Sequence, residues 1–299
     1  MDVKRLIQLL SQQLKSAGNP QKQKDLTKYM KGVLPCYGLS TPQNRALFKD
    51  FYKAHLSSYS QDDIRTLGFE LLKVNALDEK VQGIECLVKT IMTFTPEHLH
   101  TLEPIIDACI FDWATSDNLS CHVVTKAMIN NPECIKVVNS WKDAPSWRQR
   151  SACVSMLHFA RRDLHTEVII DICESAVRNK YRFTQLGVGW VLRDVSVHHP
   201  QLIIDFLNKH EDDFIREAVR YATEKMAPSQ KKLVHALARK LQITSPPESP
   251  FPAAADSPQR SSHAISRSPS LPQFPPTFPC TVSVARTCRC LLPSPSPHV

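Results

Sequence analysis

Four short segments of this 299-residue chain hold side chains that could do chemistry. Phe111 to Asp117, FDWATSD, places Trp113 and Asp117 four residues apart, so on a helix the indole and the carboxylate share one face. Phe183 to Arg193, FTQLGVGWVLR, centres on a second tryptophan, Trp190. Ser146 to Arg150, SWRQR, brings Arg148 and Arg150, and Tyr29-Met30-Lys31-Gly32 sets an aromatic and a basic side chain before a glycine turn. A carboxylate beside indole faces stabilises positive charge as it develops, and arginine and lysine hold anions. Each residue also has an ordinary structural reading. The tryptophans suit a core, Asp117 a helix N-cap, Arg150 an ion pair, and Tyr29 and Lys31 an amphipathic edge. Spacing by itself leaves both sets of readings open.

Other chemistries lack their motifs. There is no Gly-rich phosphate loop ending in Lys-Ser/Thr, no Gly-x-Ser-x-Gly and no His-Glu-x-x-His. Gly187-x-Gly189 lies inside a helical pattern, where it permits close helix packing, not after a strand as a dinucleotide site requires. His198-His199-Pro200 reads as a helix end followed by a new start. Seven of the ten cysteines are scattered through helical stretches without disulfide-framework spacing and are expected reduced; the one tight pair is Cys288-x-Cys290. No metal site and no cofactor are expected.

The elements that must carry these segments are helices. Val3, Ile7, Leu10 and Leu14 form one stripe, and comparable stripes recur to about residue 241. Asn19-Pro20, Thr41-Pro42 and Thr95-Pro96 each place a cap residue before a proline suited to the first helical turn, and Ser60-x-x-Asp63 reads as a capping box. The closing helices are expected near 182–197, 200–209, 211–226 and 229–241. No alternating strand pattern with hairpin turns occurs. The expected class is all-α: about a dozen helices in hairpins, stacked as a solenoid with one inner face free for a partner. Periodicity does not separate that from an irregular bundle.

Residues 244–299 hold 13 of the 22 prolines, none of the 7 glycines and two acids, so a disordered tail is expected there and a folded domain over 1–243. The net charge is +8, of which the domain carries 33 basic against 27 acidic residues, a modest excess that suits an anionic partner. The N-terminus lacks the apolar block of a signal peptide, and no stretch approaches a membrane span. An intracellular protein, in nucleus or cytoplasm, without membrane partners and monomeric, is the expectation.

Five segments in order resemble the AlkD-type DNA alkylation-repair family, alkylpurine DNA glycosylases built of HEAT-like repeats. They are YMKGVLPCYGLSTPQNRALFKDF from Tyr29, DWATSDNLS from Asp112, SWRQRSACVSML from Ser146, FTQLGVGWVLRDVSVHHP from Phe183 and REAVRYATEKM from Arg216. The resemblance runs over essentially all of 1–243. It implies a HEAT-like helical-repeat solenoid. It places the catalytic group on Asp117 and Trp113 with Trp190 as second site tryptophan, the site arginine on Arg150, and Tyr29 at the DNA surface. Arg150, Lys31 and Arg148 would then hold phosphates. The chain departs from the family's Trp-Trp-Asp-x-Val-Asp stretch at Asp112 and Ala114, while the four-residue step from Trp113 to Asp117 is kept.

The implied reaction is hydrolysis of the N-glycosidic bond of cationic N3- or N7-alkylated purines in duplex DNA, without metal or cofactor. Two competing readings are a non-catalytic protein that binds branched or damaged DNA by shape, and a protein-interaction scaffold, the commonest use of helical solenoids. In the tail, Arg267-Ser268-Pro269-Ser270-Leu271-Pro272 resembles a phosphoserine-docking motif around Ser270.

Overall fold

A computed structural model describes residues 1–238. The expected tail, the domain end near 243, the Cys288/Cys290 pair and the Ser270 motif lie outside the described residues. Within them the chain is all-α with no strand. The helices are α1 (Val3–Ser16), α2 (Pro20–Tyr29), α3 (Thr41–Phe51), α4 (Gln61–Lys73), α5 (Leu77–Lys89), α6 (Pro96–Cys109), α7 (Trp113–Leu119) and α8 (Thr125–Asn130). There follow α9 (Cys134–Ser140), α10 (Ser146–Ser155), α11 (Leu157–Ala160), α12 (Thr166–Ala176), α13 (Arg182–Val195), α14 (Pro200–Lys209), α15 (Arg216–Ala222) and α16 (Pro228–Ala238).

Local chemistry starts these helices. Asn19 caps α2 by accepting the Lys22 amide, with Pro20 in the first turn, and Thr95 caps α6 ahead of Pro96. Ser60 and Asp63 form the expected capping box of α4. For α3 the cap is Ser40, one residue before the expected Thr41, with Gln43 completing the box. The last helices follow the sequence expectation within the described residues, except that α15 is shorter at both ends, Arg216–Ala222 against the expected 211–226, with turns at 211–213 and 223–225.

Stacked hairpins distinguish this fold from an irregular bundle. From α4 onward each hairpin has an outer and an inner helix. The outer row is α4, α6, α9, α12, α14 and α16; the inner row is α5, α7–α8, α10–α11, α13 and α15, each packed on the next. Inner helices begin at Leu77, Trp113, Ser146, Arg182 and Arg216, so the repeat is about 35 residues long. This is a HEAT-like α–α solenoid. A large core runs between the rows, with Trp141 fully buried in it, and a smaller one unites α1, α3 and α4 around Leu10, Phe51 and Leu67.

Polar contacts link each repeat to the next. Lys209 and His210 both reach Glu174, Arg182 grips Glu217, and Lys180 reaches Asp213. His210 is buried; the more exposed of these pairs contribute about 0–1 kcal/mol each and chiefly set the register between repeats.

Candidate active site

The first site element is the start of α7. Asp112 is its N-cap: the carboxylate accepts the Thr115 amide at 2.7 Å. Burial pushes the Asp112 carboxyl up, while its hydrogen bonds from Thr115 and the nearby Lys80 charge oppose this. Lys80 is itself buried, and its ammonium closes the ends of two outer helices by donating to the carbonyls of Leu72 (2.5 Å) and Cys109 (2.8 Å). Asp112, which stands where the family resemblance has a tryptophan, therefore does structural work. The ordinary reading of Asp117 as an N-cap is corrected: Asp117 lies a full turn further on, with its carboxylate free for another partner.

That partner is Arg150. The two side chains form a forked pair, Nε to Oδ1 and Nη2 to Oδ2, both at 2.9 Å. The third guanidinium nitrogen, Nη1, donates to the Phe183 carbonyl at 2.5 Å. Arg150 is buried and Asp117 keeps 17% side-chain exposure, so the pair closes inward and opens on the Asp117 side. Burial pushes the Asp117 carboxyl above its ordinary value, and the Arg150 guanidinium pulls it back. Small residues let α7 and α10 come this close. Ser116 meets Ser151 at 3.3 Å, and Ser120 and Ser155 follow one turn on. A single π-helical turn, Ser120–Val124, joins α7 to α8, and Thr125 ties it to α10 by donating to the Ser155 carbonyl.

Trp113 shares the Asp117 face and is half-buried, with Tyr29 edge-on to its ring (centroids 5.7 Å apart, 81° between planes). Tyr29 is exposed at the end of α2. Lys31 follows in an exposed left-handed turn (φ 52°) that Gly32 (φ 69°) completes by donating to the Thr27 carbonyl. The early segment thus meets the site through Tyr29.

Trp190 comes from α13. Gly187 and Gly189 bring that helix against both neighbours: a Cβ on Gly187 would lie 3.3 Å from Arg150 Cγ, and one on Gly189 only 2.6 Å from the Ala218 carbonyl. The expectation that these glycines permit close packing holds. Trp190 lies one turn beyond Gly187, so it follows the Arg150 contact along the same face. Its ring stacks on Tyr221 of α15 (6.2 Å, 19°), and its Nε1–H is a buried donor with no protein acceptor among the described residues. Trp113 and Trp190 are half-buried, unlike the fully buried Trp141, and Trp190 packs against the large core, so the core reading holds for it in part.

Two arginine expectations change. Arg150 was expected to hold a phosphate, but each of its three guanidinium nitrogens already donates once, to Asp117 or to the Phe183 carbonyl. Arg148, two residues away and so on the opposite side of α10, pairs with Glu103 (3.0 Å) and Asp107 (3.1 Å) of α6. It is not brought to the pair. Sequence reasoning also missed Tyr221. Burial pushes its phenol up, and the charges of Arg193, Glu224, Arg150 and Asp117 all act on it. The one available signal was its place in the REAVRYATEKM segment. No group of three or more His, Cys, Asp or Glu side chains is placed to hold a metal among the described residues, and no described helix is long and apolar enough to cross a membrane.

Four successive repeats thus contribute Trp113 and Asp117, Arg150, Trp190 and Tyr221 to one inner face. The chain is similar over 71% of its length to a solved structure described as a "predicted DNA alkylation repair enzyme from Enterococcus faecalis". The match covers 97% of that chain, at 15% identity and a TM-score of 0.62, which speaks for the shared fold. No curated protein matches significantly. The family model described as "DNA alkylation repair enzyme" matches residues 10–226. With the model covering well over half of its length, this chain belongs to the DNA alkylation repair enzyme family, and its role lies in DNA repair.

Proposed function

We propose that this protein is a DNA glycosylase that releases cationic N3- or N7-alkylated purines from duplex DNA. The observation that carries the reading is the Asp117 carboxylate, gripped by Arg150 and partly open on the inner face, with Trp113 on its own helix and Trp190 across the Arg150 contact.

An alkylated purine cation is already a good leaving group. When its bond to C1′ breaks, the bonding electrons pass to the base, which leaves neutral. The sugar keeps the positive charge as an oxocarbenium-like species. Acid catalysis is not needed; negative potential beside C1′ is. Asp117 supplies it electrostatically, as carboxylates do in other oxocarbenium reactions. Water then adds at C1′, and its proton passes to Asp117 or to solvent, leaving an abasic site. The indoles of Trp113 and Trp190 add cation–π attraction to the base and sugar, on the order of 1–2 kcal/mol each. Arg150 acts through Asp117: its fork fixes where the carboxylate points and opposes its protonation.

The test is release of 7-methylguanine from methylated duplex DNA by the full chain and by Asp117→Asn. Wild type releases the base; the variant loses release by at least about two orders of magnitude while still binding DNA. Full activity in the variant removes Asp117 from its role. Binding without release by wild type points instead to a non-catalytic DNA-structure binder.

A further inference from the structure

A cluster of basic side chains adjoins the site without belonging to it. Asp194, in the last turn of α13, is fully buried, and three cations from three successive repeats converge on it. Lys225 Nζ lies 2.6 Å from Oδ1, Arg161 Nε 2.8 Å from Oδ2, and Arg193 Nε 3.3 Å from Oδ1. Arg193 also reaches Glu224 at 3.1 Å. Burial opposes ionisation of Asp194, but Lys225, Arg161 and Arg193 together hold its carboxyl below the ordinary value.

A buried carboxylate needs one cation, and this one has three. With Glu224 counted, three positive charges face two negative ones, leaving one unmatched. The unmatched charge is outward: Arg161 and Lys225 keep 37% and 41% side-chain exposure. Arg161 binds Asp194 through Nε alone, so its two terminal amino groups have no acceptor among the described residues. This differs from Arg150 and Arg182, whose forks each close on a carboxylate.

The cluster is continuous with the site. Arg193 lies over the Tyr221 ring (5.0 Å), and Tyr221 stacks on Trp190. Asp194 is four residues past Trp190, about one turn and 6 Å along the helix. The ligand that fits is a single negative charge with several acceptor oxygens, next to the proposed site.

We infer that Arg161 and Lys225, pinned by Asp194, form a subsite for one phosphodiester of the DNA strand beside the lesion. The inference rests on the glycosylase reading for the choice of DNA as ligand. Asp194 is a positioning residue here: it sets the two cations without touching the phosphate.

The experiment measures binding of the full chain to a short duplex by fluorescence anisotropy over a series of salt concentrations. Wild type is compared with Arg161→Gln/Lys225→Gln and with the charge-conserving Arg161→Lys/Lys225→Arg, and base release by wild type is measured alongside. Removing one phosphate contact lowers the slope of log affinity against log salt by about one and weakens binding about tenfold at low salt. The charge-conserving pair recovers most of both. Should the double variant unfold, Lys225→Gln alone, which leaves Asp194 two cations, is expected to weaken low-salt binding about threefold with a shallower slope. A wild-type slope in folded neutralised variants overturns the subsite while leaving the glycosylase reading intact. A shallower slope alongside absent base release keeps the subsite and overturns the glycosylase reading.

Discussion

Arg150 grips Asp117 across one repeat of the solenoid, with two hydrogen bonds of 2.9 Å, one from Nε and one from Nη2. The pair ties the second turn of α10 to the first turns of α7, and the Phe183 carbonyl anchors the same guanidinium to α13. Three inner helices are thereby held in register at the point where the chemistry is proposed.

Removing Arg150 should move the pH profile. Asp117 works as a carboxylate; burial already pushes its pKa up and Arg150 opposes this. In Arg150→Gln the opposition is lost, so the carboxyl rises further and activity fails at a higher pH on the acid side. Stability should drop by about 3 kcal/mol, because a partly buried charge loses its partner. Rates of base release between pH 4 and 8 and a thermal melt check both; an acid limb that stays put or moves down contradicts the assignment.

The two glycines of α13 should fail differently. Alanine at Gly189 drives a methyl into the Ala218 backbone carbonyl, and a backbone atom cannot step aside, so Gly189→Ala should cost about 1–3 kcal/mol by denaturant unfolding. At Gly187 the methyl is tight only against Arg150 Cγ, at 3.3 Å, while the Arg150 backbone stays at an ordinary contact distance of 3.6 Å. Gly187→Ala should therefore stay near wild-type stability but displace Arg150 and slow base release. Equal effects of both substitutions on stability and rate would contradict this contrast.

The stacked pair of Trp190 and Tyr221 should matter to rate more than to fold. Trp190→Ala should slow single-turnover excision by roughly ten- to thirtyfold through loss of cation–π attraction, and Trp190→Phe by less. Tyr221→Ala, which removes the ring behind Trp190, should slow it about tenfold, whereas Tyr221→Phe keeps the stack and most of the rate. A collapsed melting transition in Trp190→Ala would instead make that indole a core residue.

Asp194 should govern part of the acid sensitivity. Its folded-state pKa is depressed by three cations, so it stabilises the native state above about pH 4 and this contribution is lost as pH falls through its lowered value. Asp194→Asn should cost about 2–4 kcal/mol at pH 7, and the gap to wild type should shrink below about pH 4. Urea unfolding at pH 7 and at pH 3.5 measures it; a gap that widens in acid would show that the cations do not hold the carboxyl down.

What the sequence determined by itself was local or repeated. Helices, their caps at Asn19, Ser60 and Thr95, and the packing use of Gly187 and Gly189 depend on residues a few positions apart, and short-range rules read those. The shared face of Trp113 and Asp117 is of the same kind. Only the tertiary structure decided the rest. It chose Asp112 over Asp117 as the cap, committed Arg150 to Asp117, turned Arg148 toward Glu103 and Asp107, and placed Tyr221 behind Trp190. Apart from the cap, those partners stand about a repeat apart, from 31 residues for Trp190 and Tyr221 to 45 for Glu103 and Arg148. Which of them meet depends on how one hairpin is rotated and shifted against the next. Side-chain periodicity within a helix carries no information on that rotation; the packing of serines and glycines between the inner helices sets it.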